Sequence, residues 1–177
     1  MSVPRLLATV MTVALAAAVL AAQPPARTPD IHYVPTRQSV AKAMLELAHV
    51  TADDVVYDLG SGDGRILVIA AQTFGARGVG IEIDRQLVER SREIAREGGV
   101  ADRVTFIEGD LFATDISPAT VVTLYLSTTV NMRLEPKLKR ELRPGTRVVS
   151  QQFRIGAWPP DVATRAESQQ LFLWTIR

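Results

Sequence analysis

The chain has 177 residues, 47% of them hydrophobic and 22% charged, with 20 Lys and Arg against 19 Asp and Glu, two histidines and no cysteine. That length suits one domain with its own core, and the near-neutral charge gives no electrostatic footprint for nucleic acid. With only His32 and His49 and no cysteine, neither a metal centre nor a Ser-His-Asp hydrolase is expected; there is also no G-x-S-x-G elbow.

The first 22 residues differ from the rest. Arg5 is followed by the uncharged run Leu6 to Ala22, rich in Ala, Leu and Val, and then by Gln23-Pro24-Pro25. A basic start, an apolar centre and small residues before a polar break are the parts of a secretory signal peptide, with Val19-Leu20-Ala21 as its cleavage site. Seventeen uncharged residues also reach the lower limit for spanning a bilayer, so a retained anchor with membrane contact through residues 6–22 is the alternative. Cleavage implies an exported domain, periplasmic or extracellular; retention implies one tethered by its N-terminus. Removing residues 1–21 takes away Arg5 and no acid, leaving basic and acidic residues balanced. Residues 23–30 read as a Pro-rich linker, and the ordered domain is expected over 31–177.

Tyr33-Val34-Pro35-Thr36 is an extended lead-in, because Pro35 biases Val34 away from the helical region. Thr36 or Ser39 is expected to cap a helix through Leu47, with Val40, Met44 and Leu47 on one face. Val55 to Leu59 reads as a strand covered on both faces, running into Gly60-Ser61-Gly62-Asp63-Gly64 and a helix that begins with Ile66 to Ala71. A strand, a glycine-rich turn and a helix N-terminus together form a nucleotide-type cradle.

The fine spacing selects the cofactor. A dinucleotide fingerprint is G-x-G-x-x-G, yet Arg65 stands where its third glycine belongs, and Asp58 and Asp63 flank the turn. Carboxylates there repel a pyrophosphate and attract a cofactor bearing an ammonium and a sulfonium, as S-adenosylmethionine (SAM) does. Gly78 to Ile83 reads as a second strand, with Glu82 placed 22 residues after Gly60, where its carboxylate meets ribose hydroxyls.

Arg85 to Gly98 is the next helix, with Leu87, Val88, Ile94 and Ala95 as its apolar side and a charged face opposite. Val104 to Asp110 forms a third strand and Thr120 to Leu126 a fourth. The carboxyl end of the fourth puts Tyr125, Ser127 and Asn131 where ligands meet an open α/β sheet. Val130 to Leu142 reads as a helix broken or kinked at Pro136, and Thr146 to Gln151 as a fifth strand. Phe153 to Pro160 bridges to a closing hairpin of Thr164 to Ser168 and Leu171 to Ile176. The fold class is therefore α/β: a Rossmann-like, doubly wound, mostly parallel seven-stranded sheet with one antiparallel strand in the C-terminal hairpin.

Asp58-Leu59-Gly60-Ser61-Gly62-Asp63-Gly64 resembles motif I of the class I, seven-strand SAM-dependent methyltransferases, and Gly80-Ile81-Glu82-Ile83-Asp84 resembles the acidic end of their second strand. With Tyr33-Val34-Pro35-Thr36 and Arg147-Val148-Val149-Ser150, the match is similar to the protein-lysine methyltransferase family that includes the mitochondrial ATP synthase c-subunit methyltransferase and its small bacterial relatives.

That resemblance implies SAM as cofactor, held by Tyr33, Thr36, Asp58, Gly60, Ser61, Gly62, Asp63, Glu82, Asp110 and Leu111. Tyr33 and Thr36 would touch its methionine end, Asp110 its adenine amine and Leu111 the ring face. Tyr125 and Asn131 are the candidate catalytic residues. The implied activity is methyl transfer to an amine, a protein lysine or a small molecule; a non-catalytic SAM-binding module is the alternative from another class. One departure stands out: relatives are expected to carry a histidine after the serine of Val148-Val149-Ser150, and this chain has Gln151-Gln152.

Overall fold

A computed structural model describes residues 32–177. The expected signal or anchor, the linker and Ile31 lie outside the described residues. Eleven elements follow in order: α1 Gln38–Leu47, β1 Val55–Leu59, α2 Arg65–Phe74, β2 Arg77–Glu82, α3 Arg85–Glu97, β3 Val104–Glu108, β4 Val121–Leu124, α4 Thr128–Glu141, β5 Arg147–Gln151, β6 Val162–Ala166 and β7 Gln169–Thr175.

The strands form one seven-stranded sheet in the order β3-β2-β1-β4-β5-β7-β6, and only β7 runs against its neighbours. Alternation along each strand feeds two cores. Val56, Val121, Val149, Leu171 and Leu173 face α1, α2 and α3, whereas Tyr57, Val122, Val148, Phe172 and Trp174 face α4 and the loop through Ile116. Burial on both faces explains the adjacent apolar pairs Val56-Tyr57, Val121-Val122 and Val148-Val149 in β1, β4 and β5. Arg147 fastens the rim at the strands' amino ends, donating to the Ala48 and Thr120 carbonyls and to the Asp54 carboxylate at 2.9–3.2 Å.

Local details depart from expectation where side chains are used elsewhere. Neither Thr36 nor Ser39 caps α1: Arg37 is the N-cap and gives no side-chain bond. Thr36 instead donates to Gln151 Oε1 at 2.9 Å, and Ser39 to Glu167 on the β6–β7 turn. Helix α4 starts at Thr128, two residues early, because Ser127 Oγ accepts the Val130 N–H. It runs through Pro136 without ending. Pro136 and Met132, the residue whose carbonyl loses its donor, are both exposed, so water can serve that carbonyl. The hairpin turns at Glu167-Ser168, earlier than expected, with Ala166 paired to Gln169. Glu167 has φ +53, a conformation that its residue type does not advertise. Among the described residues no helix is long and apolar enough to cross a membrane.

Candidate cofactor and methyl-transfer site

In the parallel ladder Leu59 pairs with Ile81 and Leu124, Glu82 with Glu108, and Leu124 with Ser150. The carboxyl ends of β1, β2, β3, β4 and β5 therefore share one rim. Strand order reverses between β1 and β4, and a cavity of about 350 Å³ opens there. Ten predicted cofactor residues, Tyr33, Thr36, Asp58, Gly60, Ser61, Gly62, Asp63, Glu82, Asp110 and Leu111, line it together with Tyr125.

The cradle is built from backbone. Gly60 and Ser61 N–H groups both donate to the Ile81 carbonyl at 2.8 and 3.1 Å, and Gly64 N–H donates to Ser61 O at 2.9 Å. The Glu82 carboxylate then fixes the bend, accepting from Gly62 N–H at 2.9 Å, Ile83 N–H at 2.8 Å and Asp84 N–H at 3.0 Å. A carboxylate offers about four acceptor positions, so three are committed to the chain and about one faces the cavity. Glu82 is thus a builder of the turn as well as a candidate ribose ligand. Gly62 has φ +54, and a side chain there would run into the Tyr33 ring.

Charge in the cavity is negative. Five carboxylates line it, those of Asp58, Asp63, Glu82, Asp84 and Asp110, against one guanidinium, that of Arg65. Burial pushes the Asp58 carboxyl up to about 7; a hydrogen bond from Thr123 at 2.7 Å works the other way, and Glu82 and Asp63 add to the rise. Asp63 behaves oppositely. Burial raises it, but the Arg65 guanidinium, with Nη2 at 2.6 Å and Nε at 2.9 Å, outweighs that and holds it below the usual carboxylate range. Asp63 also accepts the Arg65 N–H at the start of α2, where a negative group suits the helix terminus.

Arg65 reaches further, donating to the Thr36 carbonyl at 3.1 Å and to the Tyr33 hydroxyl at 3.5 Å. It therefore clamps the segment 33–36 across the cavity mouth, a role the sequence did not disclose. Leu87, expected in the core face of α3, lines the cavity instead. Asp110 accepts the Phe112 N–H at 2.8 Å, so it caps its own turn while lining the cavity.

The two candidate catalytic residues part company. Tyr125 lines the cavity, and its ring stacks on Phe153 with centroids 6.4 Å apart and planes 18° from parallel. Asn131 does not line it. It is fully buried, and its amide N–H₂ donates to Ser150 Oγ and the Phe153 carbonyl, each at 3.1 Å. Its expected place at the methyl is corrected to a place behind the cavity wall, because the first turn of α4 aims it under the loop that follows β5.

The residues fit SAM. The acidic lining suits its ammonium and sulfonium, and the glycine bend leaves room where side chains would collide with Tyr33 and Leu126. Ser61 presents a buried hydroxyl that has no partner within the protein. Asp58, Gly60, Ser61, Gly62 and Glu82 would hold the cofactor, with Tyr33 and Leu111 against its flanks. Among the described residues no cluster of three or more His, Cys, Asp or Glu could hold a metal.

Known proteins agree with this geometry. The ANTKMT methyltransferase domain family matches residues 58–162. A protein-lysine N-methyltransferase of Saccharolobus islandicus is 46% identical over 140 residues, covering 78% of this chain and 87% of that protein. The human lysine N-methyltransferase of the ATP synthase c-subunit is 32% identical over 141 residues, 80% of this chain and 60% of that protein's length. The crystal structure of an RNA methyltransferase from Salinibacter ruber in complex with S-adenosylhomocysteine (SAH) is 57% identical, covers 81% of this chain and 94% of that one, and superposes with a TM-score of 0.80. Family, fold and cradle converge: the chain belongs to the ANTKMT methyltransferase domain family and is a SAM-dependent methyltransferase of class I.

Proposed function

We propose that the acceptor is a lysine side chain of a protein. The observation that carries this reading is the 46% identity to a protein-lysine N-methyltransferase over 78% of this chain and 87% of that protein.

SAM supplies, when bound, an electrophilic methyl on a sulfonium. This chain has to present an amine in line with it, and orientation alone can remove ~7–11 kcal/mol of such a barrier. A lysine must first lose a proton. The apolar surface of Leu126 and Val130 disfavours the ammonium while the carboxylates of the same cavity favour it, and the Tyr125 ring offers a π face while the cation remains. Gln151, standing where relatives are expected to carry histidine, is tied to Thr36 and cannot serve as a base at neutral pH. In this reading the proton is passed to water rather than to that side chain.

A second reading, RNA methylation, is favoured by the Salinibacter relative alone. Against it, taking Arg5, Arg27 and Asp30 from the 20 basic and 19 acidic residues leaves the described domain with equal numbers of each, whereas an RNA groove calls for a basic stripe. Incubation of a cell extract with the enzyme and methyl-labelled SAM, followed by hydrolysis of the protein and RNA fractions, separates the two. Label in methyl-lysine is expected; label in a nucleoside with none in lysine would overturn the lysine reading.

A further inference from the structure

The loop after β5 is built around an unfavourable turn. Gln152 has φ +66, a left-handed conformation in a residue other than glycine, and the Phe153 N–H closes back onto the Gln151 carbonyl at 2.8 Å. A three-residue turn with positive φ at its centre is rare and strained. It is gripped from β7, since Gln152 N–H donates to Gln170 O at 2.8 Å.

Beyond the turn, two donors converge on one atom. The Phe153 carbonyl accepts from Ser150 Oγ at 2.6 Å and from Asn131 Nδ2 at 3.1 Å. Asn131 makes these bonds while its Oδ1 stays buried without a partner in the protein, a second unfavourable feature at the same place. The two bonds anchor the Phe153 backbone, and from there its ring lies nearly parallel to that of Tyr125. Phe153 does not itself line the cavity, and through the stack it extends the aromatic surface that Tyr125 begins there.

We propose that Tyr125 forms the aromatic wall of the acceptor subsite, receiving an alkylammonium over its face, that Phe153 backs the Tyr125 ring from outside the cavity, and that Asn131 and Ser150 are positioning residues that hold Phe153 there. This rests on the lysine reading above and adds to it the residues that position the ring facing the acceptor's charge. A ring held in place by a stacked neighbour suits a cation at the end of an apolar stem, because its open face is negative and its orientation is already set.

The test separates cation recognition from folding and from cofactor binding. The SAH-loaded protein is titrated with Nα-acetyl-lysine amide and with its neutral counterpart, Nα-acetyl-norleucine amide, using ring-proton NMR shifts. The wild type is expected to prefer the lysine probe. Phe153→Leu, which keeps apolar bulk but removes the ring stacked on Tyr125, should weaken the lysine probe about threefold, part of one cation–π contact, and leave norleucine and SAH affinities unchanged. Asn131→Ala should shift in the same direction, and Phe153→Tyr, which keeps a ring for the stack, should keep the preference. Absence of a cation preference in the wild type, or equal losses for both probes in Phe153→Leu, would overturn the proposal. So would a parallel fall in SAH affinity. If the preference appears and is lost as expected while no lysine is labelled in the extract experiment, the subsite stands and the lysine reading of the enzyme falls.

Discussion

Replacing Glu82 with Gln keeps the shape of the side chain and removes its charge, so it isolates what the carboxylate does for the cradle. In the native protein Oε2 takes the Gly62 N–H while Oε1 takes those of Ile83 and Asp84. A glutamine has one oxygen. If that oxygen keeps Ile83 and Asp84, its NH₂ must face the Gly62 N–H, donor against donor; flipping the amide exposes two N–H groups instead of one. Hydrogen bonds to charged groups contribute ~1.5–3 kcal/mol each, and the residue is buried, so losing one bond and weakening two costs about 3 kcal/mol in the ordered turn. Carried into binding, that is roughly a hundredfold loss of SAH affinity, at ~1.4 kcal/mol for each factor of ten. Calorimetric titration with SAH measures it, and amide exchange at Gly62 reports the turn directly and should accelerate. SAH affinity within threefold of wild type, with Gly62 exchange unchanged, would refute the reasoning and reduce Glu82 to a lining residue.

Asp58 makes stability depend on pH. Burial lifts its folded pKa to about 7, above its unfolded value of ~3.9, so between those limits the native state binds the extra proton. Stability of the cofactor-free domain should therefore fall as pH rises through that window, by up to ~1.4 kcal/mol per pH unit, and Asp58→Asn should flatten the slope in urea unfolding at pH 5, 6, 7 and 8. Equal slopes in the two proteins would contradict this. At the start of α2, Gly64 has φ +77 and its missing Cβ would lie 2.5 Å from Phe106 and 2.8 Å from Ser91, so Gly64→Ala should cost ~2–5 kcal/mol from strain and overpacking. Gly75→Ala is the control, because at φ +71 its Cβ would meet only Ala52, at 3.3 Å, and about 1 kcal/mol is expected. Similar losses in urea unfolding for both would mean that Phe106 and Ser91 simply move aside.

The site was legible in the sequence where its determinants are local. Glycine spacing, flanking acids and the distance from Gly60 to Glu82 are properties of one βαβ unit, and the structure gathers all ten predicted cofactor residues around one cavity. The mostly parallel sheet and its single reversed strand followed from alternating elements and a closing hairpin. What stayed hidden depends on contacts far along the chain. Arg65 looked like a departure from a dinucleotide fingerprint, and its clamp on Tyr33 and Thr36 exists only once α2 and the lead-in segment meet. Thr123 offered a faint signal, a hydroxyl in an apolar strand, and its partner Asp58 lies 65 residues away. Asn131 was placed at the methyl because it follows β4, but strand-end logic does not specify which way the first turn of a helix points. The turn at Gln152 carries no glycine, proline or asparagine, so composition could not mark it.

The most direct test of the cradle is a calorimetric titration of the protein with SAH and NAD side by side. Micromolar binding of SAH, about 8 kcal/mol, with no heat from NAD is expected from a cavity lined by five carboxylates and one guanidinium. Binding of NAD with silence from SAH would contradict the cofactor assignment and every role derived from it.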